Sequence, residues 1–373
     1  MNSSLLDSKD ADYQYAPITY HDSWLSVDPI IGCRLNCQYC FMQSTGWTAV
    51  KPERLYTVAQ IVDMLLAHRY FIPHETILVF GNQTDSFLPE NVDYTLEFFK
   101  ALEAKRLNNA VAVVTKKEIP DHFLDAAAAF ASIRPIFCLS YSGLPASVEK
   151  GVNAQENRRN FERLSQRGLR VLHFWRPLTA ENGRIEVLEQ VLDLVSQHAL
   201  ASVYIGLKLN PSLQQAYDRS PLLYVPPELR DRRGDYIPDG VEARLRELAA
   251  AKYPAYPLYK HTSCAVSYAL GIPDYNATIY RDPICKGSNC PAGKRLICES
   301  ARAVPNVEQV HLLLSRIGRT NEFTLTAEAV EIAGTLTQED YAFLLHRLNF
   351  PIKVEVARTR NLWGSIFRQG QSE

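Results

Sequence analysis

The chain has 373 residues, and 40 Lys+Arg against 41 Asp+Glu leave a formal charge of −1. At roughly 150 residues per folding unit, that length implies about two to three units. A composition 46% hydrophobic and 10% aromatic excludes a disordered chain, and the neutral balance removes any global electrostatic case for nucleic acid or an anionic membrane, leaving only a local basic groove. No apolar run approaches the roughly eighteen residues of a membrane span, and the start Met1–Asp10 has neither a basic nor an apolar leader segment, so a cytoplasmic, membrane-free protein is expected. In that reducing compartment, eight cysteines read as metal ligands, catalytic thiols or buried small hydrophobes rather than disulfides.

The first strand is expected near Trp24–Val27, followed by Gly32-Cys33-Arg-Leu-Asn-Cys37-Gln-Tyr39-Cys40. This C-x-x-x-C-x-x-C loop can curl three thiolates around one metal centre and leave one coordination position open. In an iron–sulfur cube, three protein ligands leave one iron free for a substrate or cofactor, whereas electron-transfer clusters usually have four. The alternative is a structural zinc, which needs a fourth ligand such as His21.

Downstream, apolar β-branched runs alternate with helical periods. Thr57 is a plausible N-cap for a helix with Val58, Ile61, Val62 and Leu65 on one stripe. Strands are expected at 76–80, 110–115, 136–140, 169–175 and 202–207, with helices near 92–105, 120–132, 154–167 and 183–197, one of them closed by Gly168. About six βα steps imply parallel strands covered by helices, closing into a full or partial barrel whose site lies at the C-terminal strand ends. Those ends carry Asn82–Asp85, Thr115–Lys117, Ser140–Ser142, Arg176, Lys208 and Asn210, on the same rim as the cysteine loop.

These residues resemble the radical S-adenosylmethionine (SAM) superfamily, whose signature is the three-cysteine loop with an aromatic before its last cysteine, here Tyr39. Four further stretches are similar to the group of spore photoproduct lyase and the related DNA repair photolyase-like proteins. They are Asp28-Pro29-Ile-Ile-Gly32-Cys33, Gly81-Asn-Gln-Thr84-Asp85-Ser-Phe-Leu-Pro89-Glu90, Val113-Val-Thr115-Lys116 and Leu139-Ser140. The resemblance spans roughly residues 20 to 210. It implies a partial (β/α)6 barrel with a [4Fe–4S] cluster on Cys33, Cys37 and Cys40, whose open iron chelates SAM. It places Tyr39 against the adenine, Lys116 and Ser140 on the carboxylate or ribose, and Thr84 nearby. It also implies reductive cleavage of SAM to a 5′-deoxyadenosyl radical that takes a substrate hydrogen, and a reducing partner such as flavodoxin or ferredoxin. Spore photoproduct lyase carries a cysteine hydrogen donor beside the Thr-Asp pair; the aligned residue here is Gln83, so that role does not carry over. Cys138, in an Ile-Phe-Cys-Leu run, reads as a buried hydrophobe.

After residue 210, a Pro- and Arg-rich connector and a helix near 240–252 lead to His261-Thr-Ser-Cys264 and then Cys285, Cys290 and Cys298. Four thiolates can close a coordination shell, either as an auxiliary [4Fe–4S] cluster or as a zinc staple; His261 is close enough to replace a ligand. The remaining chain reads as a small α+β unit, with strands at Val310–Leu314, Glu322–Leu325, Ala329–Ile332 and Ile352–Val356 and a helix at Gln338–Leu348. Its tail mixes Arg358, Arg360, Trp363 and Arg368, residue types that also stack on and neutralise single-stranded nucleic acid. The expected organisation is an extension (1–20), the barrel (21–210), the connector with the four-cysteine segment (211–300) and the C-terminal unit (301–373). The expected function is a radical SAM enzyme acting on a nucleic-acid base or nucleotide. The alternatives are modification of a small metabolite, peptide or protein with an auxiliary cluster, or a non-catalytic iron–sulfur binding or regulatory protein.

Overall fold

Alternating buried faces explain the strands. In β4 (Ala110–Thr115), Ala110 and Ala112 point into one apolar cluster while Val111 and Val113 point into another; in β5 (Arg134–Ser140), Ile136 and Cys138 oppose Phe137 and Leu139 in the same way. Both faces are covered, so the strands read as continuous apolar runs rather than as polar–apolar alternation. The computed structural model describes residues 13–232, 234–276, 289–357 and 366–368. Its central sheet has eight strands in sequential order: β1 (Ile18–Tyr20), β2 (Leu25–Val27), β3 (Leu78–Phe80), β4, β5, β6 (Arg170–Trp175), β7 (Ala201–Tyr204) and β8 (Leu258–Tyr259). Only the β1–β2 pair is antiparallel. Edges β1 and β8 do not pair, so the sheet is open.

The covering helices are α1 (Val58–Ala67), α2 (Val92–Ala104), α3 (Asp121–Ala129), α4 (Ala154–Gln166) and α5 (Ile185–His198). Thr57 caps α1 in a capping box with Gln60, and Val58, Ile61, Val62 and Leu65 are its buried stripe, as the periodicity predicts. These helices and one face of the sheet share the larger apolar cluster. The other face carries the smaller one, with Trp24, Val79, Leu172, Phe174, Val203 and Tyr259.

Three local expectations change. The strand expected over 202–207 breaks at Gly206, where a Cβ would lie 2.0 Å from the carbonyl oxygen of Tyr236. The chain then pairs Leu207–Leu209 antiparallel with Gly234–Tyr236. The connector contains helix α6 (Pro211–Tyr217) and leads through α7 (Val241–Lys252) to β8, so the sheet takes a strand from beyond residue 210. Val310–Leu314 is not a strand but part of α10 (Val307–Arg316), which follows α8 (Thr262–Leu270) and α9 (Ala292–Ser300). Asn306 caps α10, and Val310, Leu313 and Leu314 are buried while Leu312 stays 68% exposed. A short apolar run does not distinguish strand from helix; spacing of its buried positions does.

The C-terminal strands β9 (Phe323–Leu325), β10 (Val330–Thr337) and β11 (Ile352–Ala357) form their own sheet beside α11 (Gln338–Leu348). This unit docks on the β1 edge: Phe343 meets Tyr20 edge-on at 5.7 Å, and buried Asp340 accepts from Tyr70 Oη at 2.7 Å and from Arg319 Nε at 2.9 Å. Tyr13–Tyr15 pairs with Ile366–Arg368. Arg358, Arg360 and Trp363 lie outside the described residues.

Burial alone would raise the Asp340 carboxyl, but hydrogen bonds from Tyr70, Arg319 and Thr337, with the charge of Arg69, hold it below its ordinary range. A depressed carboxyl stabilises the fold above its unfolded pKa, and that contribution disappears as pH falls through the folded value. Asp340→Ala is therefore expected to lower stability by about 2–3 kcal/mol at neutral pH, from the lost charged hydrogen bonds and helix cap. Denaturant midpoints should show the difference shrinking in acid; an unchanged midpoint at neutral pH would remove Asp340 as the docking staple.

Candidate active site

The cysteine loop is shaped by backbone pairing. Beyond β2, buried Asp28 accepts from Ser26 Oγ at 2.6 Å and from the Gln83 amide at 3.1 Å, which ties the lead-in to the end of β3. Gly32 turns the chain at φ +94°, with Val50 Cγ2 3.1 Å from where a Cβ would stand. The Cys33 amide then donates to Trp47 O at 3.0 Å, Asn36–Cys37 pairs antiparallel with Glu149–Lys150, and the Cys40 amide donates to Cys37 O at 3.1 Å. All three thiols are free and line one cavity of about 620 Å³. Burial pushes Cys33 up to about 12, with Asp85 adding to the shift, and Cys40 up to about 11; Cys37 is also raised by burial.

The cavity runs along the inner face of the sheet, from the cysteine loop at the C-terminal strand ends to the Tyr20–Trp24 turn. The predicted residues Tyr39, Thr84, Lys116 and Ser140 all line it. Lys116 Nζ donates to Ser140 Oγ at 2.7 Å and to Glu149 Oε1 at 2.9 Å, and it lies 5.4 Å from the centre of the Tyr39 ring. The Tyr39 hydroxyl also donates to Glu149. Burial by itself would lower the Lys116 pKa, but Glu149, then Cys37, hold it above the ordinary range, so the ammonium stays charged. Asp85 accepts from Thr115 Oγ1 at 2.7 Å and from the Lys116 amide at 2.8 Å, which fixes the turn that presents Lys116. Thr84 Oγ1 accepts from Asn91 Nδ2 at 3.0 Å.

Sequence reasoning missed Glu149. It sits in a loop segment where a lone carboxylate reads as solvated, and only its strand pairing with Cys37 carries it into the interior, 5% exposed. Arg176, which follows β6, and Lys208 line the cavity from the far side of the sheet. Cys138 packs with Ile136, Leu172 and Phe174 in the inner cluster, and burial pushes its thiol up to about 12.

The second cysteine group gathers around α8. Cys264 Sγ donates to Asp274 Oδ1 at 3.3 Å, the Asp274 amide donates to Cys298 Sγ at 3.4 Å, and Tyr259 Oη donates to Cys290 Sγ at 3.5 Å. Cys285 lies outside the described residues. His261, just before α8, lines the cavity, and His21 is bonded to Thr19 Oγ1 at 2.9 Å. Among the described residues, no three His, Cys, Asp or Glu side chains converge on a single metal ion, and no helix is long and apolar enough to cross a membrane.

No protein-family profile matches the sequence, and no curated protein sequence matches it. Among solved structures, the fold is similar to spore photoproduct lyase complexed with dinucleoside spore photoproduct, at TM-score 0.51 and 16% identity, covering 66% of this chain and 79% of that one. A double mutant of the same lyase with bound AdoMet and dinucleoside spore photoproduct gives TM-score 0.50, with the same identity and coverage. A weaker likeness, TM-score 0.41 at 13% identity over 60% of this chain and 46% of the other, links it to Streptococcus suis SuiB bound to S-adenosylmethionine. The architecture is thus a mixed α/β fold with a central, mostly parallel sheet. Within that class it has the fold of spore photoproduct lyase, the group that the cysteine loop and strand-end residues resemble.

Proposed function

We propose that the protein is a radical SAM enzyme, with Cys33, Cys37 and Cys40 holding a [4Fe–4S] cluster and the cavity holding SAM and a substrate. The observation that carries this reading is one cavity lined by three free thiols together with the Lys116–Ser140 pair. The donor set suits a cube. Three free thiols on one loop, all lining one cavity, match a cluster that would take three protein sulfurs and leave one iron open. When bound, the cluster and SAM supply one-electron cleavage of the sulfonium and abstraction of a substrate hydrogen.

The chain's own residues do the positioning. Lys116, kept charged by Glu149 and oriented by Ser140, presents an ammonium to the carboxylate or ribose of SAM. The Tyr39 ring, anchored through its hydroxyl to Glu149, offers a flat apolar face for the adenine, and Thr84 closes the same wall. The inner cluster below puts Trp24 and Phe174 on the cavity surface and gives that end an apolar wall.

The substrate reading is a nucleic-acid base or nucleotide. It is supported by the fold shared with a lyase whose structure holds dinucleoside spore photoproduct, and a flavodoxin or ferredoxin would supply the electron. For the second cysteine group we favour an auxiliary [4Fe–4S] cluster on Cys264, Cys285, Cys290 and Cys298, with zinc as the alternative. Three of those cysteines share the neighbourhood of Tyr259 and Asp274.

The test uses anaerobically reconstituted protein: iron, sulfide and zinc per chain, then dithionite and SAM with 5′-deoxyadenosine quantified. About eight irons and 5′-deoxyadenosine formation are expected for two clusters; zinc alone without cleavage would overturn the enzyme reading. Salt-dependent binding to DNA or RNA would separate the nucleic-acid substrate from a small metabolite or peptide. Cys290→Ala should keep the first cluster and SAM cleavage while lowering iron by about one cluster's worth. Loss of zinc with iron unchanged would instead assign the second group to a zinc staple.

A further inference from the structure

Among the described Lys and Arg side chains that line the cavity, Arg176 is the one whose partner is not a carboxylate. Lys116 is paired with Glu149, Lys208 with Asp235 at 2.7 Å, and Lys260 with Glu242 at 2.8 Å. Among the described residues, Arg176 forms no ion pair. One Nη donates to Thr262 Oγ1 at 3.2 Å, the guanidinium carbon lies 3.9 Å over the Phe174 ring, and the buried Nε has no hydrogen-bond partner. A guanidinium held against an aromatic face, with Nε unused and, among the described residues, no carboxylate at ion-pair distance, is an incomplete site: Asp235 acts on it only at longer range while pairing with Lys208, and an anion at this wall would complete it. Burial pulls its pKa down to about 10, which still leaves it charged at neutral pH.

The surroundings are arranged for an oxyanion. Thr262 and Ser263 open α8 on the cavity wall, adding hydroxyls and the positive end of a helix dipole beside Arg176. Lys208 projects from the Leu207–Leu209 strand close enough for its charge and that of Arg176 to act on one another. Of the acids on the cavity surface, Asp85 accepts from Thr115 and the Lys116 amide, Glu339 from the Tyr20 amide, and Asp235 pairs with Lys208, while Asp22, in the Tyr20–Trp24 turn, is near enough for its charge to reach Lys208. Arg176 follows β6, four strands along the sheet from β2, which carries the cysteine loop, so the two ends of the cavity differ in chemistry.

We infer that the Arg176 wall binds an oxyanion of the substrate, a phosphate or a carboxylate, while the Lys116 wall serves SAM. The inference rests on the radical SAM reading of the cavity and narrows it: the substrate is anionic, and its anionic group lies toward α8 while its reacting carbon faces the cysteine loop.

The experiment keeps the two readings apart. Protein, both metal-free and reconstituted with iron and SAM, is titrated with inorganic phosphate and separately with acetate, following anion line broadening by NMR. Saturable binding is expected, tighter for phosphate if the substrate is phosphorylated and for acetate if it is a carboxylic acid. Arg176→Gln should weaken that binding about tenfold or more, the scale of a lost charge-assisted contact. Lys116→Met should keep the phosphate binding that Arg176→Gln weakens, while its SAM affinity falls. If Arg176→Gln fails to fold, Arg176→Lys carries the test and should also bind more weakly, because lysine lacks the two-pronged donor geometry. The inference is overturned if neither anion saturates the wild type, or if the folded Arg176 variants bind it unchanged. It is also overturned if Arg176→Gln loses SAM affinity as fully as Lys116→Met, which would move Arg176 to the cofactor. A chain that takes up no iron and no SAM would defeat the enzyme reading, and the metal-free titration would still decide this one.

Discussion

Cys37→Ala is expected to reduce 5′-deoxyadenosine formation to background and to strip most of the iron from the first site. Two thiolates, Cys33 and Cys40, would remain for a cube that needs three, the vacated position is buried, 5% exposed, and the nearest carboxylate, Glu149, is already paired with Lys116. The backbone should survive, because Asn36–Cys37 is held to Glu149–Lys150 by main-chain pairing and the Cys40 amide donates to the carbonyl of residue 37. Iron and sulfide per chain, the charge-transfer absorbance of the cluster and product quantification test this together with far-UV circular dichroism. Full cleavage activity in this variant would sink the assignment of the loop.

Lys116→Met is expected to lower SAM affinity by about 10–100-fold while also destabilising the fold, and the two effects have separable causes. The affinity loss comes from removing the ammonium proposed to meet the cofactor. The stability loss comes from leaving Glu149, with only 7% of its side chain exposed, without its countercharge; stranding one partner of a buried pair costs about 3–5 kcal/mol. Pairing Lys116→Met with Glu149→Gln should therefore recover much of the stability, since an amide can still accept from Tyr39, but none of the SAM affinity. Equilibrium binding of SAM and denaturant midpoints on the two single variants and the double variant complete the cycle. SAM affinity that returns with Glu149→Gln would mean that Lys116 is a structural partner of Glu149 and not a cofactor contact.

Those two variants probe different kinds of information in the chain. The C-x-x-x-C-x-x-C spacing and Thr57 at a helix start are local patterns whose meaning depends on a few neighbouring residues, and the strand runs followed by Thr84, Lys116, Ser140 and Arg176 show their periodicity directly. Parallel βα units then place every strand end on one rim, which is why Thr84, Lys116, Ser140 and Arg176 are legible from the sequence as cavity-lining residues. Glu149 was not legible, because its burial depends on pairing with a cysteine more than a hundred residues earlier. The two-residue strand β8 carries too little pattern to be seen alone and exists because β7 offers an unpaired edge.

Sequence by itself determined the repeating βα architecture, the three-cysteine loop and the polar residues at the strand ends, since each is written in spacing along a few turns or one strand. Only the tertiary structure decided which charges are paired. Lys116 is paired with Glu149 and Lys208 with Asp235, while Arg176 rests on Phe174 and Thr262 with no ion pair among the described residues. That difference is invisible in composition, because pairing depends on which side chains share a dry wall after folding, and burial is what turns an ordinary arginine into an unfilled anion site.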